Sequence, residues 1–269
     1  MVAPFFPEYT VFVQNAGAKS VILPPDTEHF QISLDAMEQA ITPKTRAVII
    51  NSPNNPSGVV YSAETFEKLA ALLERKSKEI GHPIYLISDE PYREIIYDGL
   101  PILYVPKFYR DTIICYSYSK SLSLPGERIG YILVPDCVTA AKEVYTAVCG
   151  AGRFMGFVCA PHLFQDVILK CMGQTSDVDV YDQNRKLLYN GLKEMGYDCV
   201  YPSGAFYLFV KSPEPDAKAF SDKAKKLNLL IVPADSFGCP GYVRISYCVD
   251  PDMIRRSFAA FEKLMAQYR

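Results

Sequence analysis

The sequence predicts an α/β fold, with a mainly parallel sheet flanked by helices and a smaller α+β domain after it. In the first part of the chain, short β-branched or apolar runs alternate with helical patterns, which is typical of a parallel sheet covered by helices on both faces. In the last part, strand-like runs are enclosed by two amphipathic helical patterns. The chain has 269 residues, of which 49% are hydrophobic, so it is long and apolar enough to bury a substantial core.

The elements of the first part follow one another as strand, loop, helix and further strands. The apolar run at 46–50 predicts a buried strand, and a loop rich in proline, asparagine and glycine follows it. The segment 62–81 predicts a helix, with Ser62 placed to cap its start and Gly81 to end it. Further strands are predicted at 84–89, 111–117 and 130–135. Because ligands collect at the carboxyl ends of strands in open sheets, the loops after these strands are the candidate functional segments.

The last part of the chain predicts a separate α+β domain. Its helices are expected at 181–198 and 253–269, and its strands at 204–211 and 242–248. We therefore expect a large domain at 1–175 and a small C-terminal domain at 176–269.

Composition and charge exclude several classes of function. The 28 basic residues are balanced by 30 acidic ones, so no basic face argues for nucleic acid. No apolar run approaches the ~20 residues that span a membrane, and the N-terminus shows no secretory signal pattern. The eight cysteines contain no CxxC pair and the three histidines are scattered, which predicts reduced core thiols in a cytosolic protein and no metal site. A small-molecule partner is the remaining expectation.

The first polar cluster, NSPNNPSG at 51–58, directly follows the first predicted strand. Its two prolines fix φ and remove backbone donors, while asparagine and glycine tolerate left-handed backbone, so the loop presents its amides at fixed angles. Such a loop suits ligand binding, and an ordinary structural turn explains the same composition equally well.

The second cluster begins at Asp89, the last residue of a predicted strand, with Tyr92 three residues later. An acid at the end of a strand in a buried sheet needs a partner, since otherwise it takes up a proton. A cationic ring nitrogen of a ligand would be such a partner. A helix-capping aspartate is the alternative, and the capping preference of aspartate favours it.

The third cluster, SYSKSLSLPGERIGYI at 117–132, places Lys120 directly after a strand-like run. Burial and nearby positive charge lower the pKa of a lysine in general and make its amine nucleophilic, which is the condition for forming an imine with a carbonyl. Ser117, Ser119 and Arg128 supply hydroxyl and guanidinium donors suited to a phosphate. A solvated lysine in a serine-rich loop is the alternative.

Taken in order, these clusters resemble the class I/II aminotransferases of fold type I, the aspartate-aminotransferase-like enzymes that use pyridoxal 5'-phosphate (PLP). Members carry N-P-T-G, D-x-A/P-Y, S-x-S-K-x-x-x-x-P-G-x-R-x-G and a late R-I-S. The corresponding segments here are NPSG at 55–58, DEPY at 89–92, SYSKSLSLPGERIG at 117–130 and VRIS at 243–246. Ser57 in place of threonine is the only departure from the commonest form of these motifs. The resemblance runs through essentially the whole chain.

The resemblance implies which residues hold the cofactor ring. Lys120 would form the Schiff base with PLP, and Asp89 would pair with the pyridinium nitrogen and keep it protonated. Asn55 and Tyr92 would hydrogen-bond the O3' oxygen. Phe6, in PFFPEY, matches the aromatic residue that stacks on the ring, and a structural core phenylalanine explains it nearly as well.

The resemblance also implies how phosphate and substrate are held. Ser117, Ser119 and Arg128 would bind the phosphate. Arg244, with Asn55 beside it, would bind the substrate α-carboxylate through its bidentate fork, which sets the bond at Cα that stands perpendicular to the ring.

The implied activity is PLP-dependent transfer of an amino group between an amino acid, with aspartate among the candidates, and a 2-keto acid such as 2-oxoglutarate. The resemblance also implies a homodimer, and a large domain that lacks its N-terminal portion, because relatives carry further strands and a phosphate-binding turn before the region of Phe6. Two alternatives stay open. One is a truncated or split PLP-binding chain without turnover by itself, and the other is a PLP-dependent C–S β-lyase, because the same lysine and electron sink serve several reactions.

Overall fold

The computed structural model of the chain describes all 269 residues and contains two four-stranded sheets. The first sheet has its strands in chain order: β1 (Ala47–Asn51), β2 (Tyr85–Asp89), β3 (Thr112–Ser117) and β4 (Gly130–Leu133). β1, β2 and β3 are parallel, whereas β4 runs antiparallel to β3. The mainly parallel sheet is confirmed, with β4 ending earlier than the predicted 135.

The helices of the first part are α1 (Glu8–Asn15), α2 (Leu34–Ala40), α3 (Ala63–Ile80), α4 (Tyr118–Ser121), α5 (Ala141–Phe154) and α6 (His162–Lys170). The prediction for α3 is confirmed at both ends. Ser62 Oγ accepts a hydrogen bond from the amide of Thr65, and Gly81 ends the helix with a left-handed φ of 78°. No helix of the chain combines the length and the apolar character needed to cross a membrane.

The first core lies between α3 and the parallel strands. Leu69 and Leu73 of α3 are fully buried and belong to one cluster with Ile50 of β1 and Leu86 of β2. The apolar face of α3 and the buried side of the sheet therefore cover each other, which leaves the strand ends free to carry polar residues.

The second sheet is antiparallel throughout, with the strand order β5, β6, β8, β7. It packs with three helices around a core cluster of 23 buried residues, to which the segment after β2 contributes Tyr92, Ile95 and Tyr97. Its strands are β5 (Asp198–Val200), β6 (Tyr207–Lys211), β7 (Val232–Pro233) and β8 (Tyr242–Ser246), and its helices are α7 (Val178–Glu194), α8 (Ala217–Lys225) and α9 (Pro251–Met265).

Backbone hydrogen bonds join the two parts of the chain next to the 51–58 loop. The carbonyl of Gly58 accepts from the amides of Ser203 and Gly204 at 2.9 and 2.8 Å. Gly58 has a φ of 73°, and a Cβ there would lie 2.6 Å from Pro202 Cβ, so only glycine fits. This contact brings the start of the second sheet to the loop after β1.

The eight cysteines are all free. The prediction that they are core thiols holds for Cys199 and Cys239, which are buried, and is wrong for the exposed Cys137, Cys149, Cys159 and Cys248. Cys149 lies in α5 and Cys159 just before α6, and neither helix buries a residue.

Candidate active site

The predicted site residues lie around the carboxyl ends of the parallel strands. Asn51 ends β1, Asp89 ends β2 and Ser117 ends β3. The strand register places Asn51 beside Asp89, and the Asn51 side chain donates to the Asp89 carbonyl at 2.8 Å. Hydrogen bonds from β6 and β8 of the second sheet reach residues near the same edge. The site therefore lies where the two sheets meet.

Asp89 is a half-buried carboxylate without a cationic partner in the chain. Its side chain accepts a hydrogen bond from the hydroxyl of Tyr9. Burial raises the pKa of Asp89 to about 6, since the Tyr9 hydrogen bond offsets only part of the desolvation and Glu90 adds negative charge nearby. Turns follow β2 instead of a helix, so Asp89 caps no helix and the capping interpretation is wrong.

Tyr9 is a site residue that the sequence pattern did not reveal. It is buried in α1, and burial together with the neighbouring carboxylate raises its pKa, so its hydroxyl stays protonated and donates to Asp89. The half-buried ring of Phe6 packs edge-to-face on Tyr9, with the ring centroids 5.6 Å apart. Phe6 thus contacts Tyr9, which in turn contacts Asp89. The stacking of Phe6 on the cofactor ring stays a prediction.

Arg244 and Asn55 meet across the two sheets. Arg244 projects from β8 and donates from Nη1 to Asn55 Oδ1 at 2.8 Å, and Asn55 is the only hydrogen-bond partner of its side chain in the chain. The buried Asn55 is itself held by its amide, which donates to Asn51 Oδ1 at 2.7 Å. The guanidinium carbon lies over the rings of Tyr207 and Phe237, at 4.5 and 4.9 Å from their centroids. Its remaining donors are available to a carboxylate.

Tyr92 is buried in the turns after β2. Its hydroxyl is 3.1 Å from the hydroxyl of Tyr207, the first residue of β6. Burial raises the pKa of Tyr92 well above its usual value, so the hydroxyl is neutral. Tyr207, like Tyr9, belongs to the site and was not singled out in the sequence, because it reads there as part of an apolar strand.

Lys120 lies in the one-turn helix α4, which directly follows β3. It is half-buried, has no ion-pair partner, and its Nζ is 5.7 Å from the ring centroid of Phe206. Phe206 in turn packs edge-to-face on Tyr92, with centroids 5.4 Å apart. The lysine is therefore linked to the other site residues through one aromatic neighbour, and it is not a fully solvated surface side chain.

Two of the three predicted phosphate ligands lie together. Ser117 Oγ donates to Ser119 Oγ at 2.8 Å and accepts from the Ser119 amide at 3.2 Å, at the start of α4. Arg128 is exposed, has a φ of 52°, and donates to the carbonyl of Pro125 in its own turn at 2.9 Å. The chain's own contacts thus pair the serines with each other and not with Arg128, whose phosphate role stays a prediction.

Comparison with known proteins identifies the family. The family model for aminotransferase class I and II matches residues 1–261. The chain belongs to this family. Among curated relatives, the aromatic-amino-acid aminotransferase 2 of Thermococcus litoralis is 31% identical, over 98% of this chain and 69% of the relative. The aspartate aminotransferase of Pyrococcus abyssi is likewise 31% identical, over 98% of this chain and 69% of its own length.

Solved structures agree with this aminotransferase fold. An amino transferase from Eubacterium rectale matches with a TM-score of 0.97 and 63% identity, over 100% of this chain and 67% of the other. A mutant aspartate aminotransferase of Thermus thermophilus matches with a TM-score of 0.86 and 29% identity, over 98% and 72% of the two chains. The family, the fold class and the aminotransferase function predicted from the sequence are confirmed. The chain is an aminotransferase, and its relatives are longer than the part that it matches.

Proposed function

We propose that this aminotransferase holds PLP at the strand-end edge of the first sheet and moves an amino group between an amino acid and 2-oxoglutarate. The observation that supports this most strongly is the grouping of three chemically distinct residues around one edge: Asp89, Lys120 and Arg244. Aspartate is the proposed donor and an aromatic amino acid the next, because relatives are named as aspartate and aromatic-amino-acid aminotransferases.

The residues present fit the cofactor. Asp89 has a raised pKa because it is buried without a cation beside it, and a protonated pyridine nitrogen would supply that cation. Lys120 has no ion-pair partner, so its amine is available to a carbonyl carbon. The Ser117 and Ser119 hydroxyls and the exposed Arg128 are donors suited to a phosphate. Tyr92 and Asn55 offer polar groups to the ring hydroxyl.

The substrate is held by Arg244 and Asn55 in this proposal. The guanidinium binds the α-carboxylate, and the rings of Tyr207 and Phe237, which both contact the guanidinium, keep it in place. A fixed carboxylate in turn fixes the direction of the Cα–H bond. When bound, PLP supplies an electron sink for the electrons of that bond. Lys120 Nζ accepts the proton from Cα and releases it later in the transfer.

We further propose an assembly and a division of the chain. Two copies pair in the cytoplasm through the uncovered face, which we define as the surface of β4, α5, α6 and the link 155–161 between the two helices. No residue of these three elements is buried, and Phe154 and Phe157 are 94% and 72% exposed. The two separate sheets support a large domain at 1–175 and a small domain at 176–269.

The experiment adds PLP to the purified chain, reduces the mixture with borohydride, and maps the modified peptide by mass spectrometry. We expect a pyridoxyl group on Lys120 and none in Lys120→Ala. The chain is then incubated with 2-oxoglutarate and L-aspartate, L-tyrosine or L-cysteine. Glutamate formation supports transfer, whereas pyruvate and ammonia from cysteine without glutamate would replace it with β-elimination. A pyridoxyl group on another lysine would overturn the assignment of Lys120.

Arg244→Ala tests the substrate site. We expect KM to rise and kcat/KM to fall by about 100-fold, because a charge-assisted bidentate contact worth about 2–3 kcal/mol is lost. Arg244→Lys is the matched control, since it keeps the charge without the fork and should restore only part of the loss. An unchanged kcat/KM in Arg244→Ala would contradict this role.

A further inference from the structure

Tyr207 contacts two site residues for which different partners are proposed. Its hydroxyl is 3.1 Å from the Tyr92 hydroxyl, and its ring centroid is 4.5 Å from the Arg244 guanidinium carbon. The side chain is buried, with 8% of the residue exposed. One residue of the second sheet therefore touches both the tyrosine proposed to bind the cofactor ring and the arginine proposed to bind the substrate.

The register of the second sheet explains how Tyr207 reaches both. Residue Phe209 of β6 is directly opposite Arg244 of β8, and Tyr207 is opposite Ser246. Tyr207 is thus the diagonal neighbour of Arg244 on the same face, within reach of long side chains. Because Tyr207 is the first residue of β6, its other side is open to the turn that carries Tyr92.

The two hydroxyls share one hydrogen bond, so one of them donates and the other accepts. When an acceptor oxygen of a ligand lies in the site, Tyr92 donates to that oxygen and Tyr207 must donate to Tyr92. A hydroxyl that accepts a hydrogen bond becomes a stronger donor, because the two bonds polarise each other. The Tyr207 hydroxyl thereby affects a ligand that it does not touch.

We propose that Tyr207 is a positioning residue with two separable actions, one through its hydroxyl on Tyr92 and one through its ring on Arg244. The inference deepens the proposed function and rests on it. The hydroxyl directs the Tyr92 proton toward the cofactor's ring oxygen and strengthens that bond. The ring, together with that of Phe237, holds Arg244 in its carboxylate-binding position.

Three variants separate the actions. Tyr207→Phe removes the hydroxyl and keeps the ring, Phe237→Leu removes only a ring beside Arg244, and Tyr207→Leu removes both features of Tyr207. The first readout is the pH midpoint of the visible absorbance of the PLP-treated chain. The second is the Kd of maleate, an unreactive dicarboxylate, measured on the same PLP-treated protein.

We expect Tyr207→Phe to raise the absorbance midpoint by about half a pH unit with the maleate Kd within twofold, because a weaker Tyr92 donor stabilises the ring oxyanion less. Phe237→Leu should weaken maleate about fivefold with no change in midpoint. Tyr207→Leu should show both effects. If this last variant does not fold, Tyr207→Phe still decides the hydroxyl action, and Phe237→Leu still decides whether a ring beside the guanidinium affects carboxylate binding.

A midpoint in Tyr207→Phe equal to that of the wild type, or an equal shift in Phe237→Leu, would overturn the inference and leave only a packing role for Tyr207. These outcomes differ from failure of the proposed function. That failure would show in the wild type itself, as the absence of any visible absorbance that depends on Lys120.

Discussion

The helices of the second sheet and of the uncovered face have similar amphipathic sequences, but only those of the second sheet bury their apolar side chains. The second sheet, α7, α8, α9 and the segment after β2 together form a core cluster of 23 buried residues. In the uncovered face, β4 is exposed along its whole length and neither α5 nor α6 buries a residue. Phe220 of α8 is 1% exposed, whereas Phe154 at the end of α5 is 94% exposed.

The difference shows that an apolar helix face predicts a contact without showing which part of the protein supplies it. In the second sheet, the contact lies within the chain. In the uncovered face nothing in the chain supplies it, and apolar patches of this kind mark interaction surfaces. We proposed above that a second copy covers it. The following predictions test this contrast, from the largest expected effect to the smallest.

Matched truncations of the two phenylalanines test the contrast directly. Phe220→Ala should lower the free energy of unfolding by about 3–5 kcal/mol, because it leaves a cavity in a closed core. Phe154→Ala should change it by less than about 0.5 kcal/mol in the dilute chain, since no packing is lost. Urea denaturation at low protein concentration measures both. Equal losses of unfolding free energy in the two variants would contradict the difference in packing between α8 and α5.

The contrast extends to charged residues. The Arg185 side chain of α7 is fully buried, donates to both oxygens of Asp98 at 2.7 Å, and lies against the rings of Tyr97 and Tyr201. Arg185→Met should lower the free energy of unfolding by about 2–3 kcal/mol, less than for a fully enclosed pair because Asp98 can take up water.

Lys68→Met is the matched control for this prediction. Lys68 pairs with Glu64 on the exposed surface of α3, and its loss should cost less than about 0.5 kcal/mol. Thermal and urea denaturation measure both variants. Arg185→Met as stable as the wild type would mean that the second sheet does not depend on its link to the first.

Asp89 makes the edge between the sheets sensitive to pH. Its pKa is about 6 in the folded chain against 3.8 for the free side chain, so the folded state holds more protons between these values. The free energy of unfolding therefore falls as pH rises from about 4 to about 6, by at most about 3 kcal/mol.

Asp89→Asn keeps an acceptor for the Tyr9 hydroxyl and cannot titrate. The difference between the two pH curves isolates Asp89 from Glu90, whose pKa burial also raises. In the absence of PLP, we expect the free energy of unfolding of the wild type, relative to that of Asp89→Asn, to fall as pH rises from about 4 to about 6. Parallel pH curves for the two proteins would show that burial does not raise the pKa of Asp89.

The sequence predicted best those elements whose signals are local. The helix α3 was found at both ends, because Ser62 and Gly81 mark its start and end by their own chemistry. The one-turn helix α4 was missed, since four residues after a strand show no helical period. The lack of cover over α5 could not be predicted, because helical periodicity does not show what packs on it.

The candidate site divides in the same way. Asp89 and Lys120 stand out because a charged residue at the end of an apolar strand needs an explanation. Tyr9 and Tyr207 were missed because a tyrosine in an apolar run has the pattern of a core residue. Their importance lies in partners 80 and 115 positions away, and only the fold brings those partners together.

The last prediction concerns the uncovered face, where stability and association should separate. The double variant Phe154→Ser, Phe157→Ser should change the free energy of unfolding of the dilute chain by less than about 0.5 kcal/mol, because both side chains already contact water. Its effect should appear in self-association, which we expect to weaken at least about tenfold, since two aromatic side chains would lose their burial between copies.

Leu230→Ser is the control, because Leu230 is 84% exposed and lies outside this face. Sedimentation equilibrium measures all three proteins. A monomeric wild type would overturn the proposed dimer, and an equal loss of association in Leu230→Ser would place the contact elsewhere. If the double variant weakens the dimer and Leu230→Ser does not, a second copy packs on the apolar face of α5. In the second sheet, the corresponding contact is made within one chain.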